Sequence, residues 1–184
     1  MAAAQPDWAA DLLHLWFHKL RKRDWFARND GVDSELRRRF AGDLAALRNQ
    51  PPACFLTDPL TARAAVLLFD QCPRNLFRDS AQAFATDALA QAITKGALGR
   101  GWDRGLGKHE RQFLYMPLMH SERIADQRLS LRLYAALDDS FIFGFARAHS
   151  RMVARFGRFP HRNAVLGRRS TPAELAAIAA GNHW

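Results

Sequence analysis

The stretch DPLTARAAVLLFDQCPRN, residues 58–75, decides the fold class of this chain. Asp58 followed by Pro59 predicts a helix start, because proline suits the first helical turn. The apolar residues after them recur at helical spacing and lead into the run AVLLF. Because a residue before proline disfavours helical backbone, the helix is predicted to end before Pro73. Its last turn then carries a dense set of polar side chains, inside the protein or at a cleft.

The same helical spacing recurs along the rest of the chain. Further helices are predicted at residues 8–16, 33–47, 79–96, 111–116, 121–137, 138–157 and 160–166, and from the capping box at Thr171 onward. The alternating pattern of a strand persists nowhere. The sequence therefore predicts an all-α fold of about nine helices, in one domain over residues 1–184, with short connections that also suit a stack of antiparallel helical pairs.

Composition limits the compartment and the partners. No run approaches the roughly 20 apolar residues that a membrane span needs, and the N-terminus lacks a secretion pattern. The two cysteines, Cys54 and Cys72, have no metal-ligand spacing. We therefore expect a cytoplasmic protein without a membrane segment, a bound metal or a cofactor. The formal charge of +9 favours anionic partners, or it marks only a soluble, arginine-rich surface.

Three segments place dense polar groups in apolar surroundings. The first contains Asp70, Gln71, Arg74 and Asn75 and follows AVLLF directly. Two interpretations stay open for it. Asp70 and Arg74 form an internal ion pair, or Arg74 grips a carboxylate or phosphate with its planar fork.

The second segment runs from Tyr115 to Arg128. Glu122 and Asp126 are four residues apart and share one helical face, so they can hold a metal, divide acid and base roles, or pair with nearby arginines. His120 follows a proline-broken helix and is the better chemical candidate, although a histidine there can also serve only as a cap.

The third segment contains Arg158, His161, Arg162 and Asn163, interleaved with phenylalanines. The aromatic residues are most simply core anchors. Interleaved basic and aromatic residues can also bind nucleic acid, through phosphate contacts and base stacking. The turn more simply orients Arg158 and His161 towards a shared site.

These segments belong to longer motifs: FDQCPRNLFRDSAQAFATDALA at 69–90, ERQFLYMPLMHSERIADQRLS at 110–130, and RFGRFPHRNAVLGRRSTPAEL at 155–175. WFHKL at 16–20 and DWFAR at 24–28 precede them. Together they resemble the bacterial family catalogued as domain of unknown function 924, from about Leu12 to the C-terminus.

The resemblance implies an all-α fold like that of tetratricopeptide-repeat proteins, without repeats recognisable in the sequence, and no established activity. It carries the family's polar signature onto these positions: Asp70, Gln71, Arg74, Asn75, His120, Ser121, Glu122, Asp126, Gln127, Arg155, Arg158, His161, Arg162 and Asn163. The chain departs from the family at Cys72, which replaces a bulky apolar residue, and at Met119 and Arg169, which replace glutamates. Catalysis by Cys72 is therefore not expected, and chemistry that needs either glutamate would be lost or altered.

Residue type favours a cleft between helices that binds a small anionic molecule, and whether that cleft is catalytic stays open. Arg74, Arg158 and Arg162 would hold the anion. His120 or His161 would transfer protons, tuned by Glu122 or Asp126. The other predicted ligand-binding residues are Asp70, Gln71, Asn75, Tyr115 and Asn163. We predict that the three segments converge.

Two other functions stay open. A protein-interaction module of tetratricopeptide-repeat type would use the polar motifs as internal braces. RNA or DNA binding through a basic surface ranks below both, because the basic residues are not gathered in one run.

Overall fold

The computed structural model describes residues 7–181, and that range contains helices and turns but no strand. The all-α prediction is confirmed. The helices are α1 Asp7–His14, α2 Asp30–Leu47, α3 Pro59–Val66, α4 Cys72–Leu76, α5 Asp87–Gly99, α6 Lys108–Met119, α7 Ile124–Ala135, α8 Ser140–Phe156 and α9 Pro172–Ala179. Within the described range, none of them combines the length and apolar character needed to cross a bilayer.

The helix predicted to end before Pro73 continues beyond it. A π-helical turn, Leu67–Gln71, joins α3 to α4, and the Cys72 amide donates to the carbonyl of Leu67, five residues earlier. Pro73 therefore falls in the first turn of α4, where its missing N–H leaves no hydrogen bond unmade. The prediction was wrong because the π turn leads directly into α4, and proline is tolerated in the first turn of a helix.

Other predicted boundaries were wrong by a few residues for local reasons. Asn29 accepts from the amides of Gly31 and Val32, so α2 begins at Asp30 rather than Asp33. Asp79 has φ +60, so no helix starts there, and a short 3-10 turn, Ala81–Phe84, precedes the start of α5 at Asp87.

The helix α6 contains Pro117 instead of ending there. Nε2 of Gln127 donates to the carbonyl of Met119 at 2.7 Å, and that bond satisfies the end of the helix.

The described chain divides into two compact units. The first comprises residues 7–78 and 82–117, and the second comprises residues 79–81 and 118–181. Each unit is built from its own packed helices. The expectations of one domain over residues 1–184 and of tetratricopeptide-like stacking stay predictions.

The first unit packs α3 against α1 and α5, and α4 against α2. An aromatic cluster explains the early motifs WFHKL and DWFAR. Phe113 lies with its ring centroid 5.4 Å from that of Trp16 and 5.1 Å from that of Trp25. The indole of Trp25 donates to the carbonyl of Trp16 at 2.8 Å, within the π turn Leu15–Lys19. These aromatic residues tie the chain after α1 to α6.

The second unit is built on the pairing of α7 with α8. Asp139 caps α8 by accepting from the amide of Ile142, and Gly157 ends it with φ +70. The chain then turns so that Phe159 becomes fully buried, in a cluster with Met152, Val153 and Ala177. This turn fixes the residues that follow Phe159, which include most of the third polar segment.

Candidate functional site

The first polar segment is an ion-paired brace inside the first unit. Asp70 and Gln71 lie in the π turn before α4 and are buried, and Nε2 of Gln71 lies 3.2 Å from Sδ of Met116. Nη1 of Arg74 lies 3.3 Å from an Asp70 carboxylate oxygen, and the guanidinium fork donates to both oxygens of Asp87 at 2.8 and 3.0 Å. Burial works to lower the pKa of Arg74, but the charges of Asp70 and Asp87 raise it. Two carboxylates thus hold this guanidinium.

The other predicted residues of the first unit are also paired. Asn75 donates to Asp33 at 2.7 Å, and the guanidinium of Arg78 donates to the same carboxylate at 2.6 and 2.9 Å. Burial works to raise the pKa of Asp33, but the bonds from Arg78 and Asn75 and the Arg78 charge hold it below its ordinary value. The hydroxyl of Tyr115 donates to Asp103 at 2.8 Å. The phenol is kept protonated because burial, reinforced by Asp103, raises the pKa of Tyr115.

In the second unit, the junction between α6 and α7 is set by buried polar residues. The hydroxyl of Ser121 donates to Asp126 at 2.8 Å. Nε2 of Gln127 donates to the carbonyls of Met119 and Ser121 at 2.7 and 2.6 Å. These bonds replace helix hydrogen bonds that would be lost at the junction. They fix the backbone on either side of His120, which is half-buried.

Glu122 clamps this junction to the turn after α8. Its carboxylate accepts from the amide of Phe159 at 2.7 Å and from both terminal nitrogens of Arg168 at 2.8 and 2.9 Å. Burial works to raise the pKa of Glu122, but these bonds, with the charges of Arg168 and Arg162, hold it below its ordinary value. Glu122 and Asp126 therefore face different partners, so the geometry favours clamping over a shared acid–base pair.

Arg158 ties the same turn to α9. Its guanidinium donates to both carboxylate oxygens of Glu174 at 2.7 and 3.0 Å. Glu174 also accepts from the amide of Thr171 in the capping box of α9. The hydrogen bond from Arg158, followed by the one from Thr171, lowers the pKa of Glu174 to about 2. Next to this pair, Nδ2 of the buried Asn163 donates to Ser170 at 3.0 Å.

Two histidines and one arginine lie against the ring of Phe159, and a third histidine, His120, lies against one of them. We call these five residues the Phe159 cluster. The ring centroids of His149 and His161 lie 5.5 and 5.7 Å from that of Phe159. The His120 ring lies 6.0 Å from the His149 ring, and the Arg162 guanidinium carbon lies 4.5 Å from the Phe159 centroid. Phe159, His149 and Arg162 are buried, whereas His120 and His161 are half-buried. The cluster thus has a closed base and two imidazoles partly open to solvent.

His149 is held neutral at the base of the cluster. Nδ1 donates to the carbonyl of Phe145 at 2.9 Å, so the neutral ring keeps its lone pair on Nε2. Burial, with the positive charges of His120, Arg162 and His161, lowers the pKa of His149 to about 3. His149 is therefore uncharged at the base of the cluster, next to basic side chains.

The predicted site residues divide between the two units. The first unit contains Asp70, Gln71, Arg74, Asn75 and Tyr115, and the second contains His120, Glu122, Asp126, Arg158, His161, Arg162 and Asn163. Within the second unit, the structure joins the second and third segments through Glu122 and Phe159. Convergence with the first segment stays a prediction.

Sequence reasoning missed the residues whose importance depends on contacts distant in sequence. Neither His149 nor Arg168 was among the predicted site residues, and the phenylalanines of the third segment, which include Phe159, were predicted only as core anchors. The position of Arg168 in the third motif is a signal that could have pointed to it. Its pairing with Glu122, 46 residues away, has no such signal in the sequence. Across residues 7–181, no group of three or more His, Cys, Asp or Glu side chains has the geometry to hold a metal ion.

Comparisons with known proteins agree with the motifs. The family model described as a bacterial protein of unknown function, DUF924, matches residues 12–182. The solved structure of the protein of unknown function ATU0120 from Agrobacterium tumefaciens is 35% identical, with a TM-score of 0.87, over 92% of this chain and 96% of that one. No curated protein matches the chain. The chain therefore belongs to the DUF924 family of bacterial proteins.

Proposed function

We propose that the protein binds a small anionic molecule at the Phe159 cluster. The observation that carries the proposal is that two imidazoles and one guanidinium lie against a single aromatic ring, with a third imidazole, that of His120, next to His149. Burial is the main cause of the lowered pKa of His149, and the charged neighbours that add to it are all basic, which favours an anion as the ligand. The half-buried His120 and His161 lie where a ligand from solvent reaches them first.

The neighbouring clamps support this assignment. Arg158 and Arg168 are committed to Glu174 and Glu122. They hold the turn that carries His161 and Arg162, and fixed binding groups lose less entropy when a ligand arrives. The proposal therefore assigns Arg158 to positioning, and Arg162 with the half-buried imidazoles to anion contact.

A polar acceptor in the same turn adds a second requirement for the ligand. Oδ1 of Asn163 is buried and accepts no hydrogen bond within residues 7–181. Nδ2 faces Ser170, and a hydrogen bond from Asn163 also helps to lower the pKa of Glu174, which fixes the orientation of the amide. A buried acceptor without a partner calls for a water or a ligand donor. An anion that also carries a hydroxyl or amine would supply such a donor.

The cluster also has groups suited to proton transfer. Histidine is the only side-chain type whose ordinary pKa lies near neutrality, and the cluster has two half-buried ones, His120 and His161. If the protein is an enzyme, these two imidazoles are its general acid and base, and His149 supports them as a neutral residue.

Imidazole NMR tests this proposal directly. The Cε1–H signals of all histidines are followed while phosphate, citrate and a set of hydroxy-acid and sugar-phosphate anions are added. We expect the signals of His120 and His161 to shift saturably, and those of the exposed His14 and His18 to stay in place. Arg162→Met should abolish the shift, and Arg128→Met, an exposed arginine on α7, should not. Equal shifts at all four histidines, or none in the cluster, would exclude the proposed site.

A further inference from the structure

The outward side of α8 carries a row of arginines. Arg147, Arg151 and Arg155 are spaced four residues apart and all are exposed. Residues at this spacing lie on one helical face, about 6 Å apart along the axis. The opposite face, including Ile142, is buried.

These three arginines have no carboxylate partner within the described part of the chain. They differ in this respect from Arg158 and Arg168, whose forks are held by glutamates. Arg147 and Arg155 instead lie over the rings of Phe143 and Phe156, at 6.0 and 4.8 Å. A guanidinium on a ring face keeps its N–H edge available for another acceptor.

Two exposed phenylalanines precede the arginines on the same helix. Phe141 is 75% exposed and Phe145 is 41% exposed, and their rings meet edge to face with centroids 5.2 Å apart. By helical spacing the two phenylalanines lie beside the arginine row and not in line with it. We call these five residues, Phe141, Phe145, Arg147, Arg151 and Arg155, the α8 strip. Between its ends lie about 21 Å of helix.

We propose that the α8 strip is a docking surface for single-stranded nucleic acid. The arginines contact successive phosphates, because their spacing is close to the phosphate separation in an extended strand and their forks match phosphate oxygens. Phe141 and Phe145 stack on unpaired bases, whose faces a duplex would hide. This surface uses no residue of the Phe159 cluster and goes beyond anion binding there.

The chemistry of the strip favours nucleic acid over a lipid surface. A helix that lies in a membrane interface needs a continuous apolar face turned to the lipid. In α8 that face is buried within the second unit. Insertion of the Phe141 ring into a lipid surface would also bring the exposed Asp138, three residues earlier, close to anionic headgroups.

The test is fluorescence anisotropy with a labelled mixed-sequence RNA of about twelve nucleotides, from about 25 to about 200 mM KCl. The triple change Arg147→Gln, Arg151→Gln and Arg155→Gln should flatten the slope of log affinity against log salt by about 2, since each phosphate contact on a single strand contributes about 0.7. The double change Phe141→Ala and Phe145→Ala should weaken binding about tenfold or more and leave the slope unchanged.

The matched control is the triple change Arg123→Gln, Arg128→Gln and Arg132→Gln, which removes the same charge from exposed positions at and on α7. It should reduce affinity far less, and circular dichroism should show that all variants fold. An equal loss in the control triple would overturn the proposal, because net charge would then explain the binding. Three other results would also overturn it. The RNA does not bind at the lowest salt, a duplex binds as tightly as the single strand, or phosphatidylserine vesicles bind the protein while RNA does not.

Discussion

The Arg74 brace gives the sharpest stability prediction. Arg74→Met removes the guanidinium but keeps most of the apolar stem, so the change isolates the ion pairs from the packing. It removes the positive charge that Arg74 supplies to Asp70, which has no exposed side-chain surface, and to Asp87, which is 12% exposed. If Arg74 instead served a ligand, its loss would cost little stability.

The expected magnitude follows from this burial. Removing one partner of a buried ion pair costs about 3–5 kcal/mol, because the remaining charge keeps its desolvation penalty. The Arg74 side chain retains 20% exposure, so water can partly replace it, and we expect the lower end, about 3 kcal/mol. That loss is a large part of a typical stability of about 5–15 kcal/mol.

Urea unfolding followed by circular dichroism measures this loss. Arg132→Met is the matched control, because Arg132 is an exposed helical arginine, and it should change stability by less than about 0.5 kcal/mol. Asp87→Asn combined with Arg74→Met should cost at least about 1 kcal/mol less than the sum of the single changes. A loss below about 1 kcal/mol for Arg74→Met, or strict additivity with Asp87→Asn, would refute the brace.

Three further predictions concern acid stability, a turn and the thiols. Hydrogen bonds, that from Arg158 first, lower the pKa of Glu174 to about 2 from 4.5, so the ionised carboxylate stabilises the fold above pH 4.5 and this stabilisation is lost as the pH falls towards 2. The midpoint of urea unfolding should therefore fall less on acidification in Glu174→Gln than in the wild type. Gly157→Ala should cost about 1 kcal/mol in thermal unfolding because φ is +70, and no cost would contradict the left-handed cap. Burial raises the pKa of the Cys72 thiol, so the native protein should react with one equivalent of iodoacetamide, at the exposed Cys54. Rapid reaction with two equivalents would show that Cys72 is accessible to the reagent.

The positions where sequence reasoning succeeded are those with local causes. The cap of Asp58 on α3, the cap of Asp139 on α8 and the capping box at Thr171 are all formed with residues two or three positions ahead. Such contacts are visible in a sequence because their partners are a fixed number of residues away. The sequence likewise allowed the prediction that Arg74 pairs with Asp70, four residues away. It did not predict the bidentate partner Asp87, which lies 13 residues further on in another helix.

The sequence by itself determined the helical class, three of the helix caps and the residue types of the polar segments, because these depend on short-range periodicity and composition. Only the tertiary structure decided which charges pair and which stay exposed. Glu122 met Arg168, 46 residues away, whereas Arg151 on α8 met no carboxylate within residues 7–181. It also decided that Phe159 lies between His149 and His161, with His120 next to His149. The physical reason is that helical periodicity fixes which face of a helix is buried, but not which other helix covers it.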